Sequence, residues 1–333
     1  MNCLVLTYPD ISVNFPSMLE IRKLSTYFYK NDSVTKAVDD VSLSVGTGEV
    51  LGIVGESGCG KSTLGLSILK LISPPGKIVK GEIYWDGTDL LKLTDQQLEQ
   101  IRGKEISMIF QDPFSSLNPV FKVGEQIAET LRIHEGLSKD KAWGRAVEIL
   151  EMTHIPNASL RAGDYPHQFS GGMLQRAMIA MAISCNPKLL IADEPTTALD
   201  VTIQAGILGL LKELEDKKKM SMILITHNFG IVSEICDRVA VMYAGKIVEE
   251  AETSEIFRNP LHPYTIGLLE SLPEHGKKVE RLKMIHGKPP DLSALPMGCS
   301  FNPRCFKVQS VCHERMPELR EVNPRHFARC HFV

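Results

Sequence analysis

Eight consecutive residues, Gly55, Glu56, Ser57, Gly58, Cys59, Gly60, Lys61 and Ser62, followed by Thr63, match the pattern G-x-x-x-x-G-K-[ST]. Glycines at this spacing let successive backbone N–H groups converge on phosphate oxygens, Lys61 reaches the β- and γ-phosphates, and Ser62 can ligate Mg²⁺. The chemistry offered is the binding of a nucleoside triphosphate. Cys59 supplies a small side chain inside the loop, so its alkylation is expected to block nucleotide binding. A second cluster is Asp193-Glu194, two carboxylates closing the apolar run Leu189-Leu-Ile-Ala192. Alone, such a pair suits a solvated turn or a helix N-cap. Beside Lys61 it suits a Mg²⁺-associated acid, Asp193, next to an acid that polarises water, Glu194. A third segment, Phe169-Ser170-Gly171-Gly172-Met-Leu-Gln-Arg176, places Ser-Gly-Gly before a helical pattern and so offers another nest of N–H groups at a positive dipole end.

Such groups need rigid elements to hold them. Val50–Val54, Leu189–Ala192, Met222–Ile225 and Val239–Met242 are short, continuously apolar runs bounded by polar residues or glycine, as strands buried on both faces of a parallel sheet would be. Helical patterns lie between them, for example Ile207, Leu211 and Leu214 ahead of Asp216-Lys-Lys-Lys219. The fold class expected is therefore α/β. Residues 19–29, 41–45 and 82–85 alternate with period two and predict a small antiparallel sheet on the N-terminal side, while 122–183 reads as helical. Beyond Phe257, repeated X-Pro pairs break the pattern and predict an appended, loop-rich unit over residues 258–333, helical only at 264–272.

The order of these motifs makes the chain resemble the nucleotide-binding subunit of an ATP-binding cassette (ABC) transporter over residues 18–257, with a helical subdomain at about 113–183 and residues 1–17 left as a leader. The resemblance implies an ATPase that uses ATP and Mg²⁺. It implies that Ser170, Gly171 and Gly172 act on ATP held by a partner subunit, which makes a lone chain a poor ATPase. Met173 stands where the usual signature has Gln, a change that leaves the backbone donors intact. Gln111, following Met108-Ile-Phe110, matches the glutamine that senses Mg²⁺ and the γ-phosphate, with neighbours touching the membrane subunit. Ala198-Leu-Asp200 matches the loop that crosses the dimer interface, and His227 after Thr226 matches the switch histidine that holds the attacking water with Glu194. Tyr27-Phe28-Tyr29 offers the aromatic that stacks on adenine, Phe28 being favoured by alignment and Tyr29 next.

Two further segments, Gln111-Asp-Pro-Phe-Ser-Ser-Leu-Asn-Pro119 and Asn259-Pro-Leu-His-Pro-Tyr-Thr265, resemble the oligopeptide and dipeptide importer branch, which also holds importers of nickel and of oligosaccharides. Of eight cysteines, four fall in the last 35 residues: Cys299, Cys305, Cys312 and Cys330. Four thiolates are the right number for a [4Fe–4S] cluster or a structural zinc. The absence of C-x2-4-C pairs favours the bulkier cluster, whereas His313, His326 and His331 keep zinc open. Related importer ATPases share this spacing, which implies a [4Fe–4S] cluster, here a staple for a segment with few apolar anchors.

Composition sets the outer bounds. The chain of 333 residues carries 37 Lys+Arg against 40 Asp+Glu, a net charge of −3 that speaks against a nucleic-acid partner. No apolar run approaches the 18 or so residues that cross a bilayer, and residues 1–17 lack the pattern of an export signal. The resemblance then supplies the partners: two transmembrane permease subunits, a second ABC ATPase in an expected heterodimer, and indirectly an extracytoplasmic solute-binding protein. It places the chain at the cytoplasmic face of the cell membrane. A soluble ABC ATPase acting on DNA or ribosomes is disfavoured, because neither a long inserted coiled coil nor a second cassette is present.

Overall fold

The computed structural model describes residues 17–30, 33–197, 199–272 and 284–333. Residues 1–16 of the expected leader, Cys3 within it, and Ala198 of the expected interface loop lie outside the described residues.

The first half supplies β1 (Ser17–Lys30), β2 (Ser33–Gly46), β3 (Val50–Val54), α1 (Lys61–Ile68), β4 (Gly76–Trp85), β5 (Thr88–Asp89), α2 (Asp95–Glu99) and β6 (Ile106–Ile109). Helices follow: α3 (Pro113–Ser116), α4 (Val123–Glu135), α5 (Lys139–Met152), α6 (Ala158–Arg161) and α7 (Gly171–Ala182). The chain then returns through β7 (Leu189–Asp193), α8 (Val201–Lys218), β8 (Ser221–Thr226), α9 (Phe229–Ile235), β9 (Arg238–Tyr243) and β10 (Lys246–Glu252). It closes with α10 (Thr253–Arg258), α11 (Pro263–Glu270), α12 (Ser310–Glu314), β11 (Arg320–Asn323) and β12 (His326–Ala328).

Two sheets organise these elements. Strands β2, β1, β4 and β5 form an antiparallel sheet in that order, and the larger sheet runs β11-β12-β10-β9-β3-β8-β7-β6. Its five strands from β9 to β6 are parallel, which explains their unbroken apolar sequence: every residue of β3 and β7 is buried. Pleating sends alternate side chains to opposite cores. Leu51 and Ile53 join the cluster beneath the antiparallel sheet with Leu19, Ile21 and Ile83, while Val50 and Val54 join the helical cluster with Ile127, Ile179 and Leu211. Helix α1 packs Leu64 and Ile68 into the first of these cores, so the loop between β3 and α1 is fixed at both ends.

The C-terminal residues are loop-rich as expected, but two short strands among them join the main sheet. Strand β12 pairs antiparallel with β10, Glu249 opposite Ala328, and β11 adds outside it, so the extension completes the main sheet. No long apolar run announces these strands. The attachment is made instead by buried polar groups and aromatic rings. Glu249, fully buried, accepts hydrogen bonds from the backbone N–H groups of Leu261 and His262 at 2.7 and 2.9 Å and lies 2.8 Å from His326 Nε2. The rings of Tyr243, Tyr264 and Phe301 pack together, with centroids 4.5 to 5.4 Å apart.

Candidate nucleotide site and the cysteine cluster

Four of the sequence-predicted groups sit just beyond the C-terminal ends of neighbouring parallel strands, where open α/β sheets bind ligands. The loop Gly55–Gly60 follows β3, Gln111 follows β6, Asp193 and Glu194 end β7, and His227 follows β8. The loop's shape depends on glycine at two positions. Gly60 has φ 108° and a side chain there would meet the Ala37 carbonyl oxygen at 1.9 Å, while at Gly55 it would meet that of Met242 at 2.2 Å. Lys61 is 4% exposed and its Nζ donates to the carbonyls of Gly55 and Glu56 at 2.8 and 3.0 Å, poised over the mouth of the loop. Thr63 lies in the first turn of α1 and accepts from Ser67 Oγ through its carbonyl. Cys59 is buried, and burial raises its thiol against the pull of Lys61, so the reactive thiolate is scarce. The alkylation expected to block binding is therefore slow at neutral pH.

The acid pair is built as two different environments. Ser62 Oγ donates to Asp193 Oδ1 at 3.0 Å, bringing together the hydroxyl and carboxylate that would share Mg²⁺. Burial pushes Asp193 up to about 6, against the Ser62 hydrogen bond. Glu194 is half-buried, a change that alone would raise it, but donors hold it below the ordinary range: Thr197 Oγ1 at 2.7 Å first, then His227, whose Nδ1 is 3.3 Å away. Gln111 Nε2 adds a bond of 3.2 Å to the same carboxylate. Glu194 also has φ 45°, a left-handed conformation costly for a side chain of this kind and typical of functional sites. The pairing of Ser62 with Asp193, and of Gln111 with Glu194, is a donor set that fits ATP and Mg²⁺. Thr197 is a member that the sequence reading missed, though its spacing of three from Glu194 could have suggested it.

Other predicted residues lie apart from this centre. Ser170 caps α7, accepting from Met173 N at 3.4 Å, and is exposed, while Gly172 is buried where a Cβ would lie 3.0 Å from the Ile203 side chain. Asp200 caps α8, accepting from Ile203 N at 3.0 Å. Of the aromatic trio, Tyr27 donates its hydroxyl to Asp39 at 2.7 Å, the Phe28 ring lies over Gly76, and Tyr29 is 43% exposed.

Residues 38–197 match the ABC transporter family pattern, and residues 248–312 match that of the oligopeptide/dipeptide transporter C-terminal region. A probable peptide ABC transporter ATP-binding protein from Sinorhizobium fredii is 50% identical over 94% of this chain and 94% of its own length. The chain belongs to the ABC transporter ATP-binding proteins. A dipeptide transport ATP-binding protein from Haemophilus influenzae is 49% identical over 95% of both chains. Among solved structures, a dimeric ATP-binding cassette in a post-hydrolysis state with ADP and Pi superposes with a TM-score of 0.65 at 29% identity, over 71% of this chain and 99% of that one. As a member of this ABC family the chain is an ATPase, with the ATP and Mg²⁺ use that the family shares.

The four C-terminal cysteines gather in the extension. Cys299 N donates to the Cys312 carbonyl at 2.8 Å, and Cys305 and Cys330 sulfurs accept from the backbone N–H groups of Lys307 and Phe332 at 3.4 and 3.5 Å. Burial pushes Cys299 up to about 11, with a further push from its three neighbours, and burial raises Cys305 and Cys330 as well. Among the described residues no three His, Cys, Asp or Glu side chains converge as a metal-binding group, so a tight single-ion site is not assembled. Two of the three histidines that kept zinc open are engaged elsewhere, His326 with Glu249 and His331 with the Arg315 carbonyl.

Proposed function

We propose that this chain energises the import of di- and oligopeptides as one of the two ATPase subunits of an ABC transporter. The observation that carries the reading is the convergence of Lys61, Ser62, Gln111, Asp193, Glu194 and His227 on one edge of the parallel sheet in a chain that also carries the peptide-importer extension. On arrival of ATP, Lys61 leaves the Gly55 and Glu56 carbonyls for the phosphate oxygens, and the amides of Gly55 to Gly60, with Ser57, Gly58, Cys59 and Thr63, line the phosphate chain. Ser62, Asp193 and Gln111 would hold Mg²⁺, which when bound would supply charge neutralisation to the phosphates. Glu194, oriented by Thr197 and paired with His227, accepts the proton of the attacking water. Phe28, or Tyr29 beside it, stacks on adenine. Ser170 and Asp200, both exposed in this single chain, act with Gly171 and Gly172 across the interface on the partner's ATP.

Closure of two subunits, most simply a heterodimer, would drive two transmembrane permeases fed by an extracytoplasmic solute-binding protein. Among the described residues no helix is long and apolar enough to cross a membrane, so attachment to the cytoplasmic face would come through the permeases. Phe114, Val120 and Phe121, close after Gln111 in sequence, are 69%, 70% and 53% exposed and suit that contact. The decisive experiment places Glu194→Gln in the assembled transporter: ATP should be bound and occluded, with peptide-stimulated hydrolysis lost. Normal hydrolysis would remove Glu194 from the role of base.

The gathered cysteines are proposed to take a [4Fe–4S] cluster as a staple of the extension, supported by their number, spacing and backbone N–H donors to sulfur. Anaerobic purification should give brown protein with visible absorption that is lost on changing Cys305 to Ser, and a colourless iron-free preparation would overturn this assignment.

A further inference from the structure

Glu56 is the single acid in a loop whose other members offer amides, hydroxyls and a lysine to phosphate. An unopposed carboxylate there would repel a nucleotide triphosphate. It is not unopposed: Arg304, from the C-terminal extension 248 residues away, grips it with two parallel bonds, Nη1 to Oε2 at 2.6 Å and Nη2 to Oε1 at 2.9 Å. The guanidinium side chain is only 4% exposed, donates through Nε to the His286 carbonyl at 3.1 Å, and lies over the Tyr243 and Phe301 rings. The extension holds the same loop in two other ways. Tyr264 Oη accepts the Glu56 backbone N–H at 2.9 Å. Pro289, Pro290 and Leu292 form one wall of a cleft of about 240 Å³ whose opposite wall is Glu56 to Cys59, and the Leu292 carbonyl is pinned by Lys36 N at 3.1 Å.

We propose that Arg304 is a positioning residue for nucleotide binding, which cancels the charge of Glu56 and fixes the phosphate loop, so that the C-terminal extension sets the affinity of the ATPase for ATP. This rests on reading Gly55–Thr63 as the ATP site. The coupling is reciprocal: a clamp that favours the nucleotide-binding shape of the loop is itself stabilised when nucleotide is bound. The placement of Arg304 in the turn between Cys299 and Cys305, where Asn302 Nδ2 donates to the Cys312 carbonyl at 3.2 Å, ties the clamp to the cysteine-bearing segment.

The experiment measures Mg·ATP binding to the full chain by calorimetry, with thermal melting alongside. Arg304→Met should weaken binding about tenfold, because it leaves a buried-side carboxylate facing the triphosphate. Arg304→Lys should fall between, since an ammonium restores charge but not the fork. The telling variant is the double change Arg304→Met with Glu56→Gln, which should recover most of the affinity by removing the charge that Arg304 cancels. A merely structural role for Arg304 would predict no such recovery. If Arg304→Met does not fold, Glu56→Gln alone decides, and it should tighten binding about threefold by leaving Arg304 uncompensated. Wild-type affinity in Arg304→Met, a double variant as weak as the single, or weaker binding in Glu56→Gln would each overturn the proposal. Lys61→Ala separates the underlying reading: undiminished binding there would remove the ATP site itself, whatever Arg304 does.

Discussion

Glu194 shows how single side chains divide the labour in this site. It stands one residue from Asp193, yet the two carboxyls titrate apart because Asp193 is buried with one donor and Glu194 is held by Thr197, His227 and Gln111. In the proposed mechanism that separation lets one acid serve a metal while its neighbour handles water. Thr197 is the strongest of the donors, so Thr197→Val should let Glu194 rise toward its ordinary range and swing out of line. In the assembled transporter we expect kcat to drop about tenfold with KM for ATP little changed, and the acid limb of the pH profile to move upward. An unshifted profile would show that Thr197 only supports the turn. Lys61 and Ser62 needed no structure to be found, since an eight-residue pattern fixes their geometry. Thr197 had only its spacing of three from Glu194 to suggest it, and Arg304 carries no local signature: it meets Glu56 only because the chain folds back across the sheet.

At the scale of elements, the join between β10, α11 and β12 is a buried polar knot where a hydrophobic seam would be usual. Glu249 serves three donors from two segments, and Glu249→Ala would leave them unpaired in the core. The expected loss is roughly 3–5 kcal/mol of stability, read as a lowered midpoint in urea. His262 caps α11 by accepting the Tyr264 N–H on Nδ1 at 3.0 Å, a bond that only the unprotonated ring can make. Burial lowers His262 to about 4, with Arg329 adding to the effect and Glu249 opposing it. The unfolded chain takes up this proton near 6.5 and the folded chain resists it. Stability from this group is therefore full above pH 6.5 and is lost as pH falls toward 4, by up to about 3 kcal/mol. His262→Asn keeps an acceptor at the cap without the titration, so its stability between pH 7 and 5 should vary less than that of the native chain. Equal slopes would assign the acid sensitivity to other groups.

For the molecule as a whole, several of the site's predicted parts face outward. Ser170 is exposed at the head of α7, and the exposed Phe114 and Phe121 follow Gln111 in sequence. An isolated chain should hydrolyse ATP slowly, with specific activity that rises with protein concentration as two cassettes meet. Phe114→Asp combined with Phe121→Asp should abolish co-purification with the permeases while Mg·ATP binding by the isolated chain stays within about twofold. Retained co-purification would place the permease contact elsewhere.

Local order along the chain was enough to determine the α/β class, the nucleotide loop, the acid pair and the family, because each depends on residues a few positions apart: apolar runs that must be strands, and glycines that must turn. What the C-terminal residues do was not legible in that way. Their sequence is broken by prolines and poor in apolar runs, so it reads as a loop-rich appendage. Only the tertiary structure shows β12 completing the main sheet, Glu249 knotting three segments, and Arg304 closing on Glu56. Those contacts join residues 77 and 248 positions apart, and pairing at such separations is decided by which surfaces the packed sheet brings together, not by any pattern within a window of the chain.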